Sequence, residues 1–174
     1  PHIVYLANSS GLKVGITRVN QMPTRWLDQG ASQAMPIMQV ATRKLSGQVE
    51  TVLKHYVADK TNWRKLLKSD AETIDMSHAA DLLLNQSEAD LDVLLGGLDQ
   101  TDYQWLDTAA ISMRYPVLAY PEKINSHNLD KEPVLEAKLM GIKGQYLIFD
   151  TVVINVRKYS SYLVQFNSWL QILK

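Results

Sequence analysis

The sequence predicts an α+β protein in which β-rich runs precede and follow a group of short helices. Residues 2–7 and 12–17 have strand composition, and the Asn-Ser-Ser-Gly segment between them has turn composition, which together predict a β-hairpin. Apolar residues recur at helical spacing after residue 45, and β-type composition returns after residue 110. With 174 residues, 46% of them hydrophobic, the chain can bury one good core or two small ones.

Local signals predict the elements that follow the hairpin. Pro23 suits the first turn of a short helix, and Gly30 suits its end. Residues 36–42 are predicted to form a third strand. Ser46 is the predicted N-cap of a longer helix whose apolar residues are Val49, Val52, Leu53, Tyr56 and Val57.

The next helices are shorter or more acidic. Thr61 or Asn62 is expected to cap one more short helix. Two further helix starts are predicted at Ser77 and Ser87, within an acidic stretch of amphipathic pattern.

The last third of the chain is predicted to form a small antiparallel sheet or a partly closed barrel. Its β-rich runs lie at 111–120, 134–142, 145–150, 151–156 and 161–166. Gly141 and Gly144 are expected to bracket a turn. Four aromatic residues of this region fit a core better than a base-stacking surface, although both remain open: Tyr146, Phe149, Tyr159 and Tyr162.

Charge is segregated along the chain although the formal net charge is zero. Residues 1–68 carry ten Lys and Arg against three Asp and Glu, whereas residues 69–107 carry ten acids and no base. We therefore predict a basic module at 1–68, an acidic helical connector at 69–109 and a β-rich domain at 110–174. We also hypothesise that the acidic part folds against the basic module and gates its groove.

Composition excludes several classes of protein and site. No stretch approaches the roughly 20 apolar residues of a membrane span, and the first residues lack the layout of a signal peptide. A cytoplasmic protein without membrane contact is therefore expected. The chain has no cysteine, which excludes disulfides and thiolate zinc sites, and its four histidines lack ligand spacing.

Short motifs in the first 70 residues resemble the GIY-YIG nuclease module in their order and spacing. Ile-Val-Tyr at 3–5 stands where that family has its first motif, and Lys-Val-Gly at 13–15 stands at the second. Arg25 and Gln29 match its Arg-x-x-x-His stretch. The run from KVGITR to PTRWLDQGA is also similar to an uncharacterised bacterial and archaeal branch of that superfamily and is DUF2797-like.

The resemblance implies a metal-dependent endonuclease or a structure-selective nucleic-acid processing factor that acts on DNA or RNA. Glu50 would hold a single Mg²⁺ or Mn²⁺ ion, and Arg25 would bind phosphate oxygens. Tyr5 would orient or deprotonate water, and the charge of Lys13 would lower the pKa of the Tyr5 phenol. Asn62 lies where a family asparagine often follows.

Two replacements distinguish this chain from the family pattern. Lys13 stands in place of the second tyrosine, and Gln29 stands in place of the histidine. Glutamine cannot exchange a proton near neutral pH, so base chemistry would fall on Tyr5, on Lys13 with a lowered pKa, or on water held by the metal. A working enzyme and a non-catalytic nucleic-acid-binding descendant therefore both remain open.

Each singled-out residue also has a purely structural interpretation. Tyr5 would pack across strands, Arg25 would pair with Asp28, and Glu50 would pair with Lys54 at (i, i+4) spacing. Asn62 would cap a helix, and Gly15 would mark a bulge or a close approach of the backbone. Trp26 and Trp63 would belong to the core.

The basic excess of the first 68 residues favours a surface that binds the phosphate backbone of nucleic acid. The candidate residues are Arg18, Arg43, Lys44, Lys54, Lys60, Arg64 and Lys65. Ordinary solubilising charge is the alternative for these residues. A third hypothesis for the whole chain is a protein-interaction domain whose acidic and basic faces mediate self-association.

Overall fold

A computed structural model describes residues 1–57, 62–99 and 101–167 and confirms the α+β class. Its strands are β1 (His2–Asn8), β2 (Leu12–Arg18), β3 (Gln33–Val40), β4 (Tyr103–Trp105), β5 (Ile111–Ser112), β6 (Leu139–Lys143), β7 (Tyr146–Phe149) and β8 (Val153–Asn155). Its α-helices are α1 (Thr24–Asp28), α2 (Arg43–Lys54), α3 (Trp63–Leu66) and α4 (Met76–Leu95). Within these ranges, no helix is long and apolar enough to cross a bilayer.

The first sheet is antiparallel, with strand order β2-β1-β3-β4 and with β5 also paired to β3. Its strand β1 is buried on both faces. Ile3, Tyr5 and Ala7 pack with Trp26 on one face, and alternate residues pack with α2 and α4 on the other. Because successive side chains of a strand point to opposite faces, a strand covered on both sides is almost wholly apolar.

The glycine inside β2 makes room for Tyr5. The two residues pair across β1 and β2, and a methyl group at Gly15 would lie 2.6 Å from both Cζ and Oη of Tyr5. The rings of Tyr5 and Trp26 pack in a T-shaped arrangement, with their centroids 5.8 Å apart. Gly15 therefore marks a close approach, the second of the two structural interpretations of an interior glycine.

Strand β3 carries an irregularity opposite Tyr5. The register between β1 and β3 shifts at this point, so that Tyr5 pairs with Pro36 while Val4 pairs with Met38. Proline has no N–H to donate to a ladder, and an irregularity of this kind is where a sheet accommodates it.

Two predicted helix boundaries are wrong. The N-cap of α2 is Thr42, whose hydroxyl accepts from the backbone N–H of Leu45, while the Ser46 hydroxyl donates to the Arg43 carbonyl one turn back. Ser87 starts no helix, because it lies inside α4, where its hydroxyl donates to the Leu83 carbonyl.

Other helix predictions agree better with the structure. Helix α4 begins one residue before Ser77, and its cap is Asp75, which accepts from the N–H of His78. Asn62 is the N-cap of α3, and it is one of the two residues expected to cap this helix.

The C-terminal strands form a three-stranded antiparallel sheet with order β6-β7-β8. The run at 111–120 is mostly irregular, and its strand β5 joins the first sheet instead. No strand forms at 161–166, where Leu163 and Phe166 are exposed and have no partner strand in the described chain. Of the two bracketing glycines, Gly144 forms the turn and Gly141 lies within β6.

The three predicted parts contact one another. Helix α4 packs on α2, and strands β4 and β5 extend the first sheet from beyond residue 100. The division into three units stays a prediction.

Two glycine substitutions with opposite outcomes test the contact between Tyr5 and Gly15. We expect Gly15→Ala to destabilise the protein by about 1–3 kcal/mol, because the Tyr5 ring or the strand must shift. Gly47→Ala in α2 meets only the flexible end of Arg43, at 3.0 Å, and should stabilise by about 0.5–1 kcal/mol. Urea unfolding midpoints give both values. Equal stability of Gly15→Ala and wild type would contradict the close approach.

Candidate functional site

A cleft of about 590 Å³ runs along the edge strand β2. Five of the six predicted catalytic residues line it: Tyr5, Lys13, Arg25, Gln29 and Glu50. The sixth, Asn62, does not line the cleft. Its Oδ1 accepts from the backbone N–H groups of Arg64 and Lys65, each at 3.1 Å, as the structural interpretation of a helix cap predicts.

The Tyr5 hydroxyl is held at the inner wall of this cleft. Its side chain is fully buried, and Gln29 Nε2 donates to Tyr5 Oη at 2.7 Å. Burial raises the pKa of the Tyr5 phenol, and the Gln29 hydrogen bond and the Arg25 charge lower it by less. The expected lowering of this pKa is therefore wrong, because desolvation outweighs nearby positive charge. Tyr5 is a neutral hydroxyl that keeps its proton available for donation.

Among the described residues that line the cleft, cations outnumber carboxylates. Five of these residues are basic and come from β2, α1 and α2: Lys13, Arg18, Arg25, Arg43 and Lys54. Two of them are acidic, Asp28 and Glu50. A concave surface with this imbalance attracts anions, and its guanidinium groups suit the geometry of phosphate oxygens.

Other predicted basic residues lie elsewhere. Lys44, Arg64 and Lys65 are exposed and do not line the cleft. Lys60 lies outside the described residues. The acidic helix α4 packs on α2, so the acidic part folds against the basic module as expected. None of the described residues at 70–107 lines the cleft, and the predicted gating stays a hypothesis.

Sequence reasoning missed several lining residues. His2 lies in the cleft, and its Nδ1 is buried without a hydrogen-bond partner in the described chain. Burial is the largest cause of a lowered pKa for His2, and nearby positive charges, including those of Arg43 and Arg18, lower it further, so the imidazole is neutral at neutral pH. No motif or spacing in the sequence identifies His2, because its position depends on the sheet register alone.

Glu50 is the candidate metal ligand. Its Oε1 lies 3.3 Å from Lys54 Nζ, so the (i, i+4) ion pair is formed within the cleft. In the described part of the chain, no three His, Cys, Asp or Glu side chains gather to hold a metal. A single carboxylate in an open cleft still fits Mg²⁺, which usually keeps several waters and takes one or two protein carboxylates beside substrate phosphates.

Comparison with protein families finds one match over nearly the whole chain. A family described as "Protein of unknown function (DUF2797)" matches residues 1–164. The chain belongs to the DUF2797 family. Neither the curated proteins nor the solved structures contain a match. The DUF2797-like part of the sequence resemblance is therefore confirmed, and the family match includes the C-terminal sheet as well as the basic module.

In this DUF2797 member, the turn between β6 and β7 forms one wall of the cleft. Gly144 has a φ of +58°, and a methyl group there would lie 2.9 Å from the Gly30 nitrogen and 3.0 Å from the Asp28 carbonyl oxygen. The turn therefore sits directly against the end of α1. The next two residues, Gln145 and Tyr146, line the cleft.

A buried lysine anchors the turn between β6 and β7. Lys143 is fully buried, and its Nζ donates to the Ser69 carbonyl at 3.0 Å, to Asp70 Oδ1 at 3.1 Å and to Tyr120 Oη at 3.0 Å. Three acceptors satisfy all three N–H groups of the ammonium. Burial lowers the pKa of Lys143, and Asp70 partly offsets this effect. The chain leading from α3 is thereby tied to the sheet that forms the cleft wall.

Removing the carboxylate of Asp70 tests this anchor. The Tyr120 hydrogen bond, and then Lys143, hold the pKa of Asp70 below its ordinary value of 3.8. The resulting stabilisation is complete above that ordinary value and is lost as the pH falls through the lowered pKa. Because the Asp70 side chain is 70% exposed, solvent screens the pair, and we expect Asp70→Asn to cost about 1 kcal/mol at pH 7.

Urea unfolding between pH 7 and pH 2 measures this effect. The difference between Asp70→Asn and wild type should shrink below about pH 4 as the wild-type carboxylate is protonated. Asp81→Asn, which removes an exposed carboxylate of α4, is the matched control. If Asp70→Asn and Asp81→Asn behave alike at every pH, the anchor contributes nothing.

Proposed function

We propose that this protein binds nucleic acid through its phosphates in the cleft along β2 and hydrolyses a phosphodiester bond with one Mg²⁺ or Mn²⁺ at Glu50. One observation supports the proposal. Residues that are far apart in the sequence, and that match the order of the GIY-YIG motifs, line a single basic cleft. The reaction class is that of a metal-dependent endonuclease acting on DNA or RNA.

The chain's own residues would perform most of the binding and orientation. Arg25 and Lys13 would neutralise the phosphoryl oxygens, whose negative charge grows in the transition state. Tyr5 would act as a neutral donor to a phosphate oxygen, since its own oxygen already accepts from Gln29. Neither Tyr5 nor Gln29 would take a proton at neutral pH. The ion at Glu50 would polarise the phosphate and stabilise the leaving oxygen.

A second candidate function is nucleic-acid binding without hydrolysis. Two observations favour it: Lys54 already neutralises the Glu50 carboxylate, and Gln29 occupies the position of the family's histidine. Both functions require the same basic cleft. They differ in whether the bound strand is cleaved, a reaction that would require Glu50.

Cleavage by a Glu50 variant separates the two functions. Labelled single-stranded, duplex and branched DNA and RNA are incubated at low salt with Mg²⁺ or Mn²⁺. If hydrolysis occurs, Glu50→Gln should slow single-turnover cleavage by about 100-fold or more, as when one electrostatic stabiliser of a transition state is removed. Glu88→Gln, an exposed residue of α4 away from the cleft, is the matched control and should cleave like wild type.

Two results would contradict hydrolysis at Glu50. Cleavage that persists in EDTA, or that Glu50→Gln leaves unchanged, would assign it to a contaminant or to another site. Binding without any cleavage in either protein would support the second candidate.

Salt dependence of binding tests the phosphate contacts in either case. Arg43 lines the cleft and its neighbour Lys44 does not, so Arg43→Gln and Lys44→Gln form a matched pair. We expect Arg43→Gln to reduce the slope of log K against log salt by about 0.7 for a single strand, the value for one lost phosphate contact. Lys44→Gln should leave the slope unchanged. Equal slopes for both variants, measured by fluorescence anisotropy, would place the phosphates outside the cleft.

A further inference from the structure

Two aromatic rings stack on each other at one end of the cleft. Trp63 at the start of α3 and Tyr146 at the start of β7 both line the cleft, and their rings are 6.1 Å apart and within 6° of parallel. The Arg64 guanidinium lies over the Trp63 ring, 4.4 Å from its centroid. We name Trp63, Arg64 and Tyr146 together the aromatic shelf.

The aromatic shelf is built to hold its rings in place. The Asn62 cap fixes the start of α3, and the tight turn at Gly144 fixes the start of β7. Trp63 and Tyr146 are half-buried and pack beneath against a cluster that contains Leu67 and Ile148. Planar groups that are already ordered lose little entropy when a further planar group stacks on them.

We propose that the aromatic shelf stacks an unpaired base, so that the ligand of the cleft is single-stranded nucleic acid. This inference rests on the proposed function, because the phosphates of the same strand would occupy the basic part of the cleft. A duplex hides the faces of its bases, whereas a single strand exposes them. Aromatic rings beside a cationic groove are the arrangement by which proteins bind single strands without sequence preference. The Arg64 guanidinium lies over Trp63 and is exposed, so it presents a planar cation on which a base can stack.

An abasic strand isolates the base contact from the phosphate contacts. The affinities of wild type for a dT12 oligonucleotide and for an abasic 12-mer are compared in EDTA, which prevents metal-dependent cleavage. The two ligands have equal phosphate charge. We expect dT12 to bind about tenfold more tightly, since each stacked base contributes this much or more.

Variants then assign that preference to the aromatic shelf. Trp63→Leu should lower dT12 affinity about tenfold, to the level of the abasic strand, and should leave the salt slope and the affinity for a blunt 12-bp duplex unchanged. Trp63→Phe keeps an aromatic ring and should retain most of the preference. Trp105→Leu removes an exposed tryptophan on β4, outside the cleft, and should bind like wild type.

The outcomes separate this inference from the proposed function. If wild type binds dT12 and the abasic strand with equal, measurable affinity, base stacking on the aromatic shelf is overturned but the proposed function is not. The same holds if Trp63→Leu keeps the full preference for dT12. A preference that depends on Trp63 would support the shelf even if no cleavage is found. Failure to bind either strand would overturn both proposals. Circular dichroism checks that Trp63→Leu is folded. If it is not, two measurements test the shelf instead: the preference of wild type for dT12 over the abasic strand, and the reduction of that preference expected in Arg64→Gln, a substitution at an exposed residue.

Discussion

The cleft depends on one contact, the Tyr5 ring lying against Gly15. Strand β1 is buried on both faces, so the Tyr5 ring cannot turn toward solvent and extends along the sheet instead. The Tyr5 ring occupies the space that a side chain at Gly15 would fill, and the Trp26 ring packs on it in a T-shaped contact. The phenol oxygen is thereby fixed where α1 ends, within reach of Gln29. A single small residue on an edge strand therefore places a buried hydroxyl beside the basic residues of the cleft.

Besides its two carboxylates, the cleft contains two kinds of polar group, neutral hydrogen-bonding groups and cations. A histidine in place of Gln29 would add a group that titrates near neutral pH, whereas glutamine supplies a hydrogen bond that does not change with pH. The raised pKa of Tyr5 has the same consequence. If the cleft binds phosphate as proposed, its affinity should therefore depend on salt far more than on pH across the neutral range. Chemistry that needs proton transfer would have to use groups other than this pair.

Sequence patterns predicted the parts of the fold that depend on local signals. The hairpin, the third strand and the Asn62 cap each follow from a few adjacent residues, and five of six catalytic candidates line one cleft. Thr42 and Ser46 are both hydroxyl residues near the start of α2, and only the backbone conformation at Thr42 decides between them. Tyr146 could not be assigned to the cleft in advance, because more than 80 residues separate it from Trp63 and no periodicity reports contacts over that distance.

The site is assembled from both ends of the chain. The turn at Gly144 rests on the end of α1, and buried Lys143 holds that turn to the segment that follows α3. Residues 1–68 alone would lack this wall, and Trp63 would lack its stacked partner. The family match extends to residue 164 and so includes every residue of the wall. The complete cleft is therefore formed by the basic module and the C-terminal sheet together, because neither contains all of its lining residues.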